Sequence, residues 1–287
     1  MTLQAAAPVA IAVAPNGARK GRADHPRLPL TPPELADCAA DVLAAGASML
    51  HLHVRDESGR HSLEADDYRA AIDAIRTRVG DALLIQVTTE SGGRYGPAEQ
   101  MRHARALAPQ ALSLAVRELW SDPGLEAEAA AFVAELASRE ALVQYIVYGA
   151  DDLARLLRLH ADGTIPQRTP HVLFVLGAYV EQRAGRPAEL PPLAAALPAG
   201  WPWSVCAFGA AELRCVVTGA LLGGHVRVGF ENNLRAVSGA DAFDNAQTVL
   251  ECRDVLLRLG LRPAGVAETR RLFGDVREHA AGPPVAA

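Results

Sequence analysis

Cysteine is scarce in this 287-residue chain, and the four present, Cys38, Cys206, Cys215 and Cys252, form no Cys-x-x-Cys pair. That scatter argues against a disulfide framework and predicts free buried thiols in a reducing cytoplasm. Long apolar runs are missing too: none approaches the roughly 18 residues of a membrane span, so no membrane partner is expected. Lys and Arg do not gather in blocks and the formal net charge is −5, which speaks against nucleic acid as a partner. The opening Met1-Thr2-Leu3-Gln4 has neither a charged n-region nor an apolar h-region, and no signal peptide is predicted. No Gly-x-Gly-x-x-Gly follows the first apolar segment, which removes the dinucleotide fingerprint of a doubly wound sheet.

What remains is a globular composition, 50% hydrophobic, with no shift that would mark a second domain. Strand patterns fall at 9–14, 49–55, 83–89, 111–116, 142–148, 172–177, 203–208 and 225–231. Helical patterns alternate with them at 33–45, 65–78, 97–106, 125–138, 153–160, 193–197, 210–222 and 242–259. Thr31-Pro32-Pro33-Glu34 is a helix start, with Thr as cap, an early proline and Glu three residues on. Eight strands alternating with eight helices is the count of a TIM (β/α)8 barrel, and about 250 residues suffice for one. The expected organisation is therefore one barrel domain over 1–287, ordered from about 8 to 275. The proline- and alanine-rich stretch 187–202 reads as a surface loop with a short helix, and the tail after Gly282 as disordered.

Two histidines interrupt the second strand pattern, Met49-Leu50-His51-Leu52-His53-Val54-Arg55-Asp56. Side chains at i and i+2 of a strand share a face, so His51 and His53 point together while Leu50, Leu52 and Val54 take the packed side. Two adjacent imidazoles are costly to bury unless something satisfies them. Hydrogen bonds at a strand end would do so, and so would a divalent metal. The eighth strand pattern puts Arg227, Gly229 and Glu231 on one face, with Glu231 ending the strand inward. In a closed barrel only strand one separates strands eight and two, so the carboxylate can reach both imidazoles. Two His and one carboxylate with open positions suit catalytic Zn2+, or Fe2+ in oxygenases. Asn16 and Arg19 after strand one, Gln86, Thr88 and Glu90 on strand three, and Ser113 near the end of strand four add polar groups at the same pole. Arg19, Lys20 and Arg22 form either a solvated loop or a receptor for the phosphates of a long acidic cofactor. Tyr148 and Cys206 read as packing, and no role is assigned to His25, His61, His103, His160, His171 or His279.

The chain resembles the β-keto acid cleavage enzymes, the family that includes 3-keto-5-aminohexanoate cleavage enzyme. The resemblance rests on Asp24-His25-Pro26-Arg27-Leu28-Pro29 with Thr31-Pro32-Pro33-Glu34, on Gly46-Ala47, and on His51 to Asp56. It continues in Gln86-Val87-Thr88-Thr89, Phe174-Val175-Leu176-Gly177, and Gly223-Gly224-His225 through Asn233-Leu234. It implies a TIM barrel assembled as a homotetramer, with zinc on His51, His53 and Glu231. The implied partners are acetyl-CoA and a small β-keto acid, which exchange fragments to give acetoacetate and a new CoA thioester. Arg227 would bind the substrate carboxylate or an oxyanion, and Thr88 and Ser113 match the family's hydroxyl positions near substrate. Three positions depart from the pattern. Asn232 stands where the family often has an aspartate base. Arg19 stands where the aminohexanoate enzyme has an acid, and Ile146 replaces a glutamate. The last two changes argue for a neutral or anionic keto acid, with Arg19 meeting either its tail or a CoA phosphate. A CoA-independent metal aldolase or lyase, and a silent metal-binding protein that captures a carboxylate, are the alternatives.

Overall fold

The computed structural model describes residues 6–179 and 183–274. Eight strands form its centre: β1 (Ile11–Val13), β2 (Met49–Leu52), β3 (Leu84–Thr88), β4 (Ala111–Ala115), β5 (Leu142–Val147), β6 (His171–Ala178), β7 (Trp203–Ala207) and β8 (His225–Val228). Each pairs in parallel with the next, and β8 returns to β1 through Val226–Ile11 and Val228–Val13, so the sheet closes on itself. Helices α1 (Pro32–Ala45), α2 (Ala65–Val79), α3 (Pro97–Leu107), α4 (Glu126–Ser138), α5 (Ala150–Ala161), α6 (Leu190–Ala195), α7 (Glu212–Leu221) and α8 (Asn245–Arg258) follow the strands in turn. This is the TIM barrel that the alternation predicts. Among the described residues no helix is long and apolar enough to cross a membrane.

Period-two alternation sorts the strand residues. Ile11, Val13, Leu50, Leu52, Ile85 and Val87 join the helix-facing core, while their neighbours point into the barrel. One pole of the interior is apolar, built from Ala10, Ala12, Met49, Leu84 and Ala111. Phe273, from a further helix (α9, Val266–Phe273) that the sequence pattern does not reveal, plugs that pole. The eight-residue segment is too short for its periodicity to stand out. The start of α1 is as expected: the Glu34 carboxylate accepts from the Leu30 and Thr31 amides at 2.9 and 3.1 Å.

Two strands stop earlier than the pattern implies. β2 ends at Leu52 because Val54–Arg55 pairs antiparallel with His61–Ser62 and draws the chain off the barrel. β8 ends at Val228 because Gly229 turns at φ +127°, lying so close to β1 that a Cβ there would stand 2.6 Å from the Ala14 carbonyl oxygen. Glu231 thus enters the barrel from a tight turn, not from a strand end. The 187–202 stretch carries its short helix at Leu190–Ala195, three residues earlier than read, because Leu190 is the residue that inserts into the core. The tail after Gly282 lies outside the described residues.

Candidate active site

The three candidate metal ligands converge at the C-terminal mouth, where barrel chemistry resides. Ligand atoms of His51, His53 and Glu231 lie within 4.8 Å of one another, and all three residues are buried. Glu231 Oε2 stands 3.2 Å from His53 Nε2 and 3.8 Å from His51 Nε2, and the two Nε2 atoms are 3.1 Å apart. Gln86 Oε1 lies 2.7 Å from His51 Nδ1. An amide oxygen only accepts, so the His51 proton resides on Nδ1 and the Nε2 lone pair faces the other two ligands. Glu231 Oε2 has no hydrogen-bond partner among the described residues. A lone-pair nitrogen, a second imidazole and an unsatisfied buried carboxylate oxygen are a donor set that fits a divalent cation.

Electrostatics agree with that reading. Burial, with the Arg227 charge beside it, pushes His51 down to about 4, and burial pushes His53 down to about 3. Both imidazoles are therefore neutral at physiological pH, the form that ligates metal. Burial alone would raise the Glu231 carboxyl, yet the adjacent Arg227 guanidinium holds it well below the usual carboxylate range. Arg227 Nη2 donates to Glu231 Oε1 at 2.9 Å and to Cys206 Sγ at 3.1 Å. Burial pushes the Cys206 thiol up to about 11, so it is a hydrogen-bond partner and not a thiolate.

The turn that carries Glu231 is pinned from beneath. Lys20, the single lysine of the chain, donates to the Phe230 and Glu231 carbonyls at 2.8 and 2.6 Å. Tyr179 donates to the Glu231 carbonyl as well. Glu212 accepts from the Gly229 amide at 3.1 Å and from Asn233 Nδ2 at 3.4 Å. Gly17, at φ +62°, presses against the Glu231 side chain, and a Cβ there would lie 2.5 Å from Glu231 Cγ.

A cavity of ≈ 170 Å3 opens over the ligands, lined by His51, Glu231, Arg227, Thr88, Glu90 and Arg19 among others. Thr88 Oγ1 accepts from the Glu90 amide at 2.9 Å. Ser113 is buried, and its hydroxyl has no partner among the described residues. Asn16 is a bracket: its Nδ2 donates to the Pro29 and His53 carbonyls at 2.8 and 3.2 Å, tying the loop after β1 to the second ligand. Asn232 is buried, with neither side-chain polar atom partnered among the described residues. Glu90, just beyond β3, has Oε2 3.9 Å from His53 Nε2. Burial, with the Glu231 and Glu118 charges, pushes its carboxyl up to about 8.

Several residues of the site escape the sequence reading. Tyr148 lines the cavity and carries Arg117 stacked on its ring, which the reading as simple packing overlooks. Arg117 and Tyr179 stand just past the ends of β4 and β6, where the strand-end rule could have found them. His61, left without a role, packs its ring 5.3 Å from that of His53. His171, also left aside, closes a belt inside the barrel. In that belt Gln86 Nε2 donates to Gln144 Oε1 at 3.2 Å, Gln144 Nε2 meets His171 Nε2 at 3.2 Å, and Ser204 Oγ meets the same nitrogen at 2.9 Å.

Fold and site together define a barrel enzyme with a candidate metal centre at its catalytic mouth. The chain belongs to the beta-keto acid cleavage enzyme family, whose profile matches residues 8–274, and is accordingly an enzyme that breaks carbon–carbon bonds. It is 29% identical over 263 residues to a 3-keto-5-aminohexanoate cleavage enzyme of Fusobacterium nucleatum, covering 90% of this chain and 94% of that protein. It is 27% identical to a 3-oxoadipate:acetyl-CoA acetyltransferase of Cupriavidus necator, covering 93% and 95%. A solved structure of ObcA, in ternary complex with a C4-CoA adduct and oxalate, superposes with TM-score 0.70 at 19% identity, over 86% of this chain and 67% of that one. At that identity the likeness bears on the fold alone.

Proposed function

We propose that this chain is a Zn2+-dependent acyltransferase, converting a small β-keto acid and acetyl-CoA into acetoacetate and a new CoA thioester. The convergence of His51, His53 and Glu231 is the observation that carries it, and the relatives named for acetyl-CoA transfer supply the second substrate. Zinc on these three ligands supplies Lewis acidity for the ketone oxygen and for enolate charge. Arg227 engages the keto acid carboxylate: its Nη2 is committed to Glu231 and Cys206, but its buried Nε is without a partner among the described residues. A planar guanidinium suits a carboxylate in a way an ammonium does not. Thr88 and Ser113 offer hydroxyl hydrogens to the substrate oxygens. Asn232 cannot accept a proton near neutral pH, so Glu90 Oε2, on the cavity wall beside His53, takes that task. Asn16 holds the His53 segment in place.

The same reading includes a cytoplasmic homotetramer. The described cysteines are all free thiols, which suits a reducing compartment. Two consecutive helices, α7 and α8, end in exposed leucines, Leu221 and Leu222 in one case and Leu257 and Leu259 in the other, and exposed apolar side chains of this kind suit burial against a second copy.

A mass-spectrometric screen of β-keto acids with acetyl-CoA tests the activity. Acetoacetate together with a new thioester is the expected product pair, and retro-aldol turnover without CoA would replace the reading with a lyase. Metal analysis should find about one zinc per chain, lost in a His51→Ala, His53→Ala double variant. Full zinc content in that variant would move the metal elsewhere.

A further inference from the structure

The cavity that opens on the metal ligands carries two guanidinium groups that the chemistry above does not use. Arg117 sits in the helical turn Val116–Leu119 directly after β4. Its Nε and Nη2 both donate to Asp152 Oδ2, at 3.0 and 2.7 Å, and the Tyr148 amide donates to the same oxygen at 2.9 Å. Its Cζ lies 4.0 Å from the centre of the Tyr148 ring. Held by a carboxylate on one edge and an aromatic face beneath, the group has little freedom left, and its Nη1 makes no hydrogen bond or ion pair among the described residues. Arg19 lines the same cavity and has no hydrogen bond or ion pair among the described residues.

The cavity is graded from floor to rim. His51, Glu231 and Arg227 are buried at its floor. Ala115, Ile146, Val175 and Phe208 give it an apolar wall. Arg19 is exposed and the Arg117 side chain is 52% exposed, which places both at the rim. Asp152 already pairs with Arg117, so what the rim offers an anion is the unused Nη1 edge of that group and the Arg19 charge, and the other carboxyls are engaged elsewhere. Glu118 spends its oxygens on the Ser91 amide and hydroxyl and on Gln100, and Glu90 faces His53 at the floor.

A ligand that fills such a cavity has a polar head at the metal, an apolar middle and an anion at its far end. Resting on the β-keto acid reading above, the geometry points to a β-keto dicarboxylate as substrate, its distal carboxylate read by Arg117 with Arg19 beside it. Arg117 is the principal reader, because Asp152 and Tyr148 fix its orientation before the ligand arrives, and preorganised donors lose less on binding. Arg19 adds charge without a fixed direction. Discrimination comes from pairing the distal anion with the unused Nη1 edge of Arg117 and with Arg19, contacts that a neutral tail forgoes and an ammonium opposes.

Steady-state kinetics on the zinc-loaded enzyme with acetyl-CoA test this, comparing a 3-oxo dicarboxylate with its distal monomethyl ester and with a chain ending in an amine. The expected order is dicarboxylate over ester by at least about tenfold in kcat/KM, with the amine lowest. Arg117→Gln should lower kcat/KM for the dicarboxylate at least about tenfold more than for the ester, through KM for the keto acid. Equal use of dicarboxylate and ester would overturn the assignment. So would an Arg117→Gln effect that appears in KM for acetyl-CoA, since the rim cations would then belong to a CoA phosphate. Calorimetry with a saturated dicarboxylate and its half-ester reads the same preference without turnover. If no keto acid reacts, the acyltransferase reading fails by itself, and equal binding of the two probes would sink the dicarboxylate assignment separately.

Discussion

Replacing Gln86 with leucine would strip the acceptor from His51 Nδ1 while keeping a side chain of similar size. The His51–Gln86 contact is 2.7 Å long and wholly buried. With a metal held as proposed, Nε2 would be committed to the ion and the Nδ1 proton would have nowhere else to go. In the metal-free form the ring can shift its proton to Nε2, which lies 3.8 Å from Glu231 Oε2 and 3.1 Å from His53 Nε2. The penalty of an unsatisfied buried N–H, about 1–3 kcal/mol, therefore falls mainly on the bound state. Zinc affinity should weaken ten- to a hundredfold, roughly 1.4–2.7 kcal/mol. Competition against a chromogenic chelator at neutral pH measures this, and thermal unfolding of the metal-free variant checks that the barrel still folds. Gln86→Glu supplies the control. It retains an acceptor at the same place, and a carboxylate raises imidazole basicity, so its affinity should equal or exceed that of the wild type. The reasoning is refuted if Gln86→Leu binds zinc within about twofold of wild type, or if Gln86→Glu is as damaging as leucine.

Gly17→Ala should impair zinc binding without touching a ligand, because its Cβ would meet Glu231 Cγ at 2.5 Å and the residue already sits at φ +62°; unchanged affinity would show that the loop yields freely. Glu90→Gln should lower kcat by about 10²–10⁴-fold with zinc retained, and near-normal turnover would assign the proton to another group. Glu212 is buried, with its carboxyl pushed up to about 8 from an ordinary 4.5. The folded state therefore binds a proton that the unfolded state has released between those values, and stability should fall as pH rises through that window, by up to about 1.4 kcal/mol per unit. Glu212→Gln should flatten the slope in denaturant titrations, and identical slopes would mean that the carboxylate is solvated in place.

The barrel was legible because its parallel strands, packed on both faces, leave runs of Val, Ile and Leu separated by amphipathic helices. His51 and His53 were legible for a related reason: period two forces both onto one face, whatever the surroundings. Glu231 was found by the same rule although the chain does not obey it there, since Gly229 ends the strand and a turn delivers the carboxylate. Arg117 and the Gln144–His171–Ser204 belt were not legible. Each acquires its meaning from a partner on another strand, and strand pairing in three dimensions is information that local spacing does not carry. The plug formed by Phe273 was missed for the same reason, its burial being decided by the far ends of other strands.

Lys20 has a practical consequence. With one lysine in 287 residues, an amine-selective acylating reagent has a single side chain to modify besides the terminal amine, and peptide mapping by mass separates the two adducts. That nitrogen is occupied by the Phe230 and Glu231 carbonyls, so labelling requires the turn to let go of it. The labelling rate is thus a clock for opening of the segment that carries the carboxylate ligand. Slowing of that clock on addition of zinc, or of each substrate in turn, would show which of them locks the segment shut, without an engineered reporter in the chain.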